Sequence, residues 1–411
     1  MRQIEFKEGI GLKNGRWIFL ISIFFLLLLG LCISQKDKFS FWLSSLKEKR
    51  EIENQINSMT LEEKIGQLVI SGFKGETISK ELKELIEEYH IGGVILFSAN
   101  IKDSNQLIEL TNSIKDINST TSRVPIFISV DQEGGRVSRL PKDIEKFPSA
   151  ARMGVFGDEN YSYKVGNTLA QVIKSFGFNL DFAPVLDVAS NPGNKVIGDR
   201  AFGDNGDLVC RMGLQFMNGL KDSNVISVVK HFPGHGDTKE DSHYELPYLN
   251  HEKERLDAIE FVPFEKAIES GADGIMVSHI VLKKIDDKNP ATMSKTVVTG
   301  ILRKELSYDG VVFTDDMNMG AIAKNYLLRD AVISTIDAGV DVIVSSKGVE
   351  DTKLIIEIIK DALKKGDISE ERINESLNRI LKLKYKYDLE DKKLPHINPD
   401  RINSFINENI K

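Results

Sequence analysis

Between Lys230 and His243 the chain reads Lys-His-Phe-Pro-Gly-His-Gly-Asp-Thr-Lys-Glu-Asp-Ser-His, gathering a lysine, imidazoles, carboxylates and turn-forming residues into one stretch. Four of the seven histidines, His231, His235, His243 and His251, fall within it or just beyond it. A carboxylate such as Asp241 beside an imidazole such as His243 accepts its Nδ1 proton and fixes the tautomer. Nε2 is then free to give or take a proton near neutral pH, so the pair outlines an acid/base dyad. Other readings compete for these residues. His231, His235, Asp237 and His243 carry donor types that suit zinc or iron. Pro233 and two glycines, however, forbid the helix on which paired histidines usually hold a metal, so no metal or other cofactor is expected. Gly234-His235-Gly236 lacks the Gly-Lys-Ser/Thr ending of a phosphate-binding loop. A solvated polar loop is the ordinary reading of any one histidine. The clustering of four argues against it.

These residues need a scaffold, and the flanking sequence supplies a repeating one. Val225 to Val229 is a short apolar run, which sets Lys230 and His231 at the carboxyl end of a buried strand. Seven further runs have the same character: Leu68 to Gly72, Gly93 to Phe97, Ile126 to Val130, Asn179 to Ala183, Gly274 to Val277, Gly310 to Thr314 and Asp341 to Val344. Helix-like segments alternate with them, at Lys80 to Tyr89, Asn105 to Ile117, Tyr161 to Phe176, Leu208 to Leu220, Leu256 to Ser270, Val297 to Leu306 and Leu327 to Ala338. Strands apolar on both faces and separated by helices imply a parallel sheet. Eight such units favour an α/β fold of the closed (β/α)8 TIM-barrel type over an open doubly wound sheet. Residues 57–390 form this domain, with a charged tail expected over 391–411.

In such a barrel the chemistry belongs at the carboxyl ends of the strands. The third strand runs into Asp131-Gln132-Glu133-Gly134-Gly135-Arg136-Val137-Ser138-Arg139, and the fourth into Asp187 and a long loop with Gly198-Asp199-Arg200. The fifth gives Lys230 and His231, the sixth Ser278-His279 and the seventh Thr314-Asp315-Asp316. Any one of these is ordinarily a helix cap or a solvated charge, Asp316 in particular. Together they describe a cup that holds a polyhydroxylated ligand through paired hydrogen bonds.

The amino-terminal end reads differently. Arg2, Lys7, Lys13 and Arg16 precede an apolar run from Trp17 to Ile33. The basic segment 1–16 is expected to stay in the cytoplasm, 17–34 to form a transmembrane or signal-anchor segment, and 35–56 a juxtamembrane linker. The globular part would then sit outside the cell membrane. A cleaved signal peptide and lipid attachment at Cys32 are the alternatives. With Cys32 and Cys210 as the only cysteines, no internal disulfide framework is available. A net charge of -7 without a basic stripe argues against nucleic acid as a partner.

The Lys-His-Phe-Pro-Gly-His-Gly loop ending in Asp-Ser-His, with Asp-Gln-Glu-Gly-Gly-Arg-Val upstream and Thr-Asp-Asp downstream, resembles glycoside hydrolase family 3, specifically its bacterial β-N-acetylglucosaminidases. The likeness runs from about Met59 to Ala338. It implies a retaining mechanism in which Asp315 is the nucleophile, His243 the acid/base, and Asp241 the group that orients His243. It also implies that Asp131, Arg139, Arg200, Lys230 and His231 bind the sugar. Neighbouring Lys230 and Arg200 are expected to lower the Asp315 pKa against the like charge of Asp316. Larger members of that family append a second α/β domain. Here the dyad lies in the barrel, so a single-domain, monomeric enzyme acting on N-acetylglucosamine-containing glycans such as peptidoglycan fragments is expected. A phosphorylase, a β-glucosidase and a catalytically idle wall-binding module are the competing expectations.

Overall fold

The computed structural model describes residues 46–410. The segments 1–16 and 17–34, Cys32 and the start of the expected linker lie outside these residues. Among the described residues no helix is long and apolar enough to cross a membrane. The described part of the unit Met1–Ser58 is a helix over 46–58, with Lys47–Glu51 and Lys49–Glu53 pairs one turn apart.

From Met59 onward the strands are β1 (Val69–Ser71), β2 (Gly93–Leu96), β3 (Phe127–Val130), β4 (Leu180–Asp181), β5 (Ile226–Phe232), β6 (Tyr248–Leu249), β7 (Gly274–Val277), β8 (Val281–Leu282), β9 (Val311–Asp316) and β10 (Val342–Ser345). β6 and β8 make a small parallel pair. The other eight close into a parallel barrel in the order β1-β2-β3-β4-β5-β7-β9-β10, with β10 paired back to β1. Each begins at or within two residues of the run that the sequence marks for it. A closed ring with no free edge excludes the open doubly wound alternative.

Local chemistry explains why the chain alternates. Helices begin where a short polar side chain accepts a backbone N–H: Ser79 from Leu82, Asp103 from Gln106, Asp158 from Asn160 and Tyr161, Asn205 from Leu208. Thr60 and Glu63 form a reciprocal capping box. Strands such as β2 and β3 are buried at every position, as strands covered on both faces must be. Within the barrel Phe182 meets Phe313 edge to face at 5.7 Å. A Cβ on Gly274 would lie 3.0 Å from the Phe313 ring and 2.7 Å from Val228, so a glycine opens β7 to them.

Two expectations are corrected. The helix expected over Leu256 to Ser270 is two helices, Lys253–Ala258 and Val262–Glu269. The chain breaks between them so that Phe261 stacks on Phe232 and Phe264 meets the same ring edge to face, and Pro263 starts the second helix. The stretch expected as a charged tail is packed structure. Asp391 accepts from the Ile126 amide and Asn118, Asn403 accepts from the Glu145 amide, and the helix Pro399–Ile410 lies on the helix Glu159–Ser175.

The floor of the barrel, opposite the strand ends considered above, is closed by Lys384 of the helix Glu370–Lys386. Its Nζ donates to Gln67 Oε1, Gly92 O and Pro125 O at 2.9, 3.1 and 2.6 Å and lies 4.3 Å from the Phe127 ring centre. Burial pushes its pKa down to about 7. The unfolded chain keeps an ordinary lysine, so above pH 7 it binds more protons than the folded chain and stability rises with pH until that lysine too is neutral. In this window the native chain is expected to gain up to about 1.4 kcal/mol per pH unit relative to Lys384→Met. Urea unfolding at pH 7 and pH 9 checks this; an unchanged difference between the two chains would mean the folded state keeps the ammonium.

Candidate active site

At the carboxyl ends of the strands lies a cavity of about 370 Å³. Asp131, Arg139, Arg200, Lys230, His231, His243 and Asp315 all line it. Asp241 does not, and reaches it through His243.

The buried base of this cavity is ionic. Lys230, 2 % exposed, extends from β5 and donates to Asp131 Oδ1 at 2.7 Å, with Glu133 Oε1 also at 2.7 Å. Arg200, on the short turn Gly198–Arg200, grips Glu133 with both Nε and Nη2 at 2.8 Å. One glutamate therefore serves two cations. Burial alone would raise the Glu133 pKa, but Lys230 and Arg200 hold it far below the usual carboxylate range. Burial likewise opposes the charge on Lys230, and Asp131 and Glu133 more than restore it.

His231 is held from both sides. Its Nδ1–H donates to Asp187 at 2.7 Å, and Nε2 accepts from Arg200 Nη2 at 3.2 Å, since a guanidinium only donates. Asp187 also accepts the amides of His231 and His235. His235 Nδ1 donates to Thr238 Oγ1 at 2.6 Å, and that hydroxyl donates to the His235 carbonyl. Its Nε2 then accepts from the Ser242 hydroxyl at 3.1 Å. Burial lowers the His235 pKa, as this neutral form requires. Through Ser242, His235 pins the loop that carries the dyad.

That loop has a second fastening. His243 Nδ1 and its own amide both donate to Asp241 Oδ1, at 2.8 and 2.9 Å. The His243 side chain is 62 % exposed, so Nε2 is open to solvent and substrate. The Ser242 and His243 carbonyls accept the amides of Ala321 and Gly320 at 3.1 Å. A Cβ at Gly320 would lie 2.6 Å from the His243 carbonyl oxygen, so the loop docks here only on a glycine.

The two aspartates at the end of β9 differ in surroundings. Asp316 is saturated: it accepts from the amides of Ser346 and Asn318 and from the Ser346 hydroxyl. Burial, with the charge of Asp315 adding, nevertheless raises its pKa. Among the described residues Asp315 accepts only the Asp316 amide, at 2.9 Å. Burial would raise it too, but His231, His279, that amide and His243 together bring its pKa below the ordinary value. The expectation that Lys230 and Arg200 do this is corrected, because Asp131 and Glu133 already engage them. His279, buried, accepts from Thr292 at Nδ1 and donates from Nε2 to the Asp316 carbonyl at 3.0 Å, which fixes the turn that presents Asp315.

Residues 60–383 match the Glycosyl hydrolase family 3 N terminal domain. The chain belongs to glycosyl hydrolase family 3. Beta-hexosaminidase A of Pseudoalteromonas piscicida is 36% identical over 333 residues, 75% of this chain and 56% of its own length. The present chain thus spans little more than half of that relative. A beta-hexosaminidase of Shewanella frigidimarina is 37% identical over 278 residues, 66% of this chain and 79% of its own. A glycoside hydrolase family 3 beta-N-acetylglucosaminidase from Paenibacillus sp. FPU-7 superposes with a TM-score of 0.81 at 38% identity, covering 85% of this chain and 68% of that one.

In this family 3 barrel, Glu133, Asp187, His235, Ser242, His279 and Gly320 complete the site without having been assigned a role from the sequence. Their signal was positional, since Glu133, Asp187 and His279 all follow strand ends. Glu133→Gln keeps the shape but removes the charge that two buried cations face. It is expected to destabilise the fold by about 3 kcal/mol or more at neutral pH. With its folded pKa depressed, the Glu133 contribution is complete above the ordinary glutamate value and fades as pH falls below it. Unfolding midpoints of both chains at pH 7 and pH 4 check this; equal stability at pH 7 would mean the cations are satisfied without Glu133.

Proposed function

We propose that the chain is a retaining exo-β-N-acetylglucosaminidase that releases terminal β-linked N-acetylglucosamine from peptidoglycan fragments or related glycans. The observation that carries this reading is Asp315, with one amide donor among the described residues and a lowered pKa, on the same cavity as His243 backed by Asp241. Asp315 attacks the anomeric carbon as His243 Nε2–H protonates the departing glycosidic oxygen, leaving a glycosyl-aspartate. His243 then takes a proton from water as the water oxygen displaces Asp315. Asp241 keeps the imidazole in one tautomer through both steps. Asp131, Arg139, Arg200, Lys230 and His231 hold the sugar. The names of the relatives, hexosaminidases and a beta-N-acetylglucosaminidase, support an acetamido sugar.

Basic residues ahead of the apolar run at 17–34 support attachment to the cell membrane with the barrel facing outward. Activity that sediments with membranes and is released by removing 1–45 is the result expected. A second reading comes from the imidazole itself, which unlike a carboxylate does not repel phosphate. Phosphate would then replace water in the second step and yield a sugar phosphate.

Side-by-side assay of an aryl β-N-acetylglucosaminide and an aryl β-glucoside, with and without phosphate, tests these readings. Strong preference for the first is expected, and Asp315→Asn should lower kcat by about 10³-fold or more. His243→Ala should lose about 10²- to 10⁴-fold on substrates with poor leaving groups and far less on activated aryl ones, which need no acid. Equal losses on both would remove His243 from the acid role. No turnover by a folded native chain under any of these conditions would favour the wall-binding module.

A further inference from the structure

Three side chains with metal-binding atoms meet where the dyad loop begins and ends. Asp237 precedes Asp241 by four residues, His251 follows His243 by eight, and Glu260 follows the helix Lys253–Ala258. None of the three lines the cavity that holds Asp315. One ligand atom of each lies within 4.8 Å of the other two. His251 Nε2 and Asp237 Oδ2 are 2.6 Å apart.

Glu260 gives this cluster a feature that solvated acidic groups lack. It is 3 % exposed. Its Oε2 pairs with Arg255 at 2.5 Å, while Oε1 is buried without a hydrogen-bond partner. A buried carboxylate oxygen without a donor is costly. Arg255 balances one of the two carboxylates, and the other faces the His251 imidazole.

We propose that Asp237, His251 and Glu260 bind one divalent transition-metal ion of the zinc class, which fastens together the two ends of the loop carrying Asp241 and His243. One imidazole and two carboxylates suit zinc better than calcium or magnesium, which take oxygen ligands. Zinc bonds of about 2.0–2.2 Å put ligand atoms roughly 3.4 Å apart, so Asp237 and His251 part slightly while Glu260 closes on them. The orphaned Oε1 gains its partner, and water completes the tetrahedron. These are not the ligands suggested by the crowding of histidines in the sequence: His231 and His235 are engaged by Asp187, Arg200, Thr238 and Ser242, and only Asp237 is shared.

The test is equilibrium dialysis of the full-length, chelator-stripped protein against Zn²⁺, with bound metal measured by atomic emission. One zinc per chain is expected, with binding at least tenfold weaker in Glu260→Gln and His251→Gln and unchanged in Asp241→Asn. Circular dichroism confirms that each variant is folded, and Asp237→Asn replaces any that is not. No stoichiometric binding would overturn the proposal. So would binding that survives loss of Glu260 and His251 but disappears with Asp241. Trypsin supplies an independent readout at exposed Lys239 in the loop. Zinc should slow that cut severalfold in the native chain and leave its rate unchanged in Glu260→Gln; equal rates with and without zinc in the native chain would overturn the fastening.

Discussion

The site rests on one carboxylate. Glu133, buried beneath the cavity, faces Lys230 and Arg200 together, and through Arg200 it also orients His231. Burying two cations is tolerable only if anions come with them at hydrogen-bonding distance. Asp131 and Glu133 supply these from the loop after β3, while Lys230 comes from β5 and Arg200 from the long loop after β4. Three segments far apart in sequence are thereby locked in register at the top of the barrel. Pairing also decides what the cations do for Asp315. With their charge answered by Asp131 and Glu133, they leave the ionisation of Asp315 to the imidazoles and the amide around it.

A second constraint couples Asp315 to His243. The chain leaving Asp315 turns at Asp316, held by Ser346, Asn318 and His279, and returns as the short helix Gly320–Ala323. The first amides of that helix donate to the carbonyls of Ser242 and His243. The loop bearing Asp241 and His243 is thus docked on the continuation of the strand bearing Asp315. His235 holds the same loop from the other side through Ser242. Placement of Asp315 and His243 relative to one another depends on a handful of hydrogen bonds and on the missing side chain of Gly320.

Much of this was legible in the sequence because strand periodicity and barrel closure are linked. Eight apolar runs predict eight strands, and a barrel predicts that the residue after each strand faces the site; Asp131, Lys230, His231 and Asp315 follow from that alone. Glu133 has only a positional signal, since its following of β3 marks it as facing the site but does not show the two buried cations that it pairs with. His235 and Ser242 were hidden because pairs between loop residues depend on the fold of the loop, which periodicity does not report. The break at 259–261 escaped for a related reason. Local propensity continues the helix, but packing of Phe261 and Phe264 around Phe232 overrides it. Lys384 reads as one more surface lysine at a helix end, and only three-dimensional placement shows it capping the barrel floor.

Asp315 and Asp316 show how environment divides labour between identical side chains. Successive residues of a strand point to opposite sides. Asp316 therefore meets the β10 end, where Ser346 donates twice, and its lone pairs are spent on holding the turn. Asp315 meets the cavity with one amide donor and several imidazoles, conditions that keep it ionised and one oxygen unengaged. The shifts of the two are opposite in sign, as expected when two like charges adjoin and only one faces several imidazoles. His243 stands at the other extreme, exposed on a loop, its imidazole tied through Nδ1 to Asp241. In the reaction proposed above His243 gives a proton in one step and takes one from water in the next, which needs access to that water. The buried, fixed carboxylate and the exposed, tethered imidazole each suit the step proposed for them.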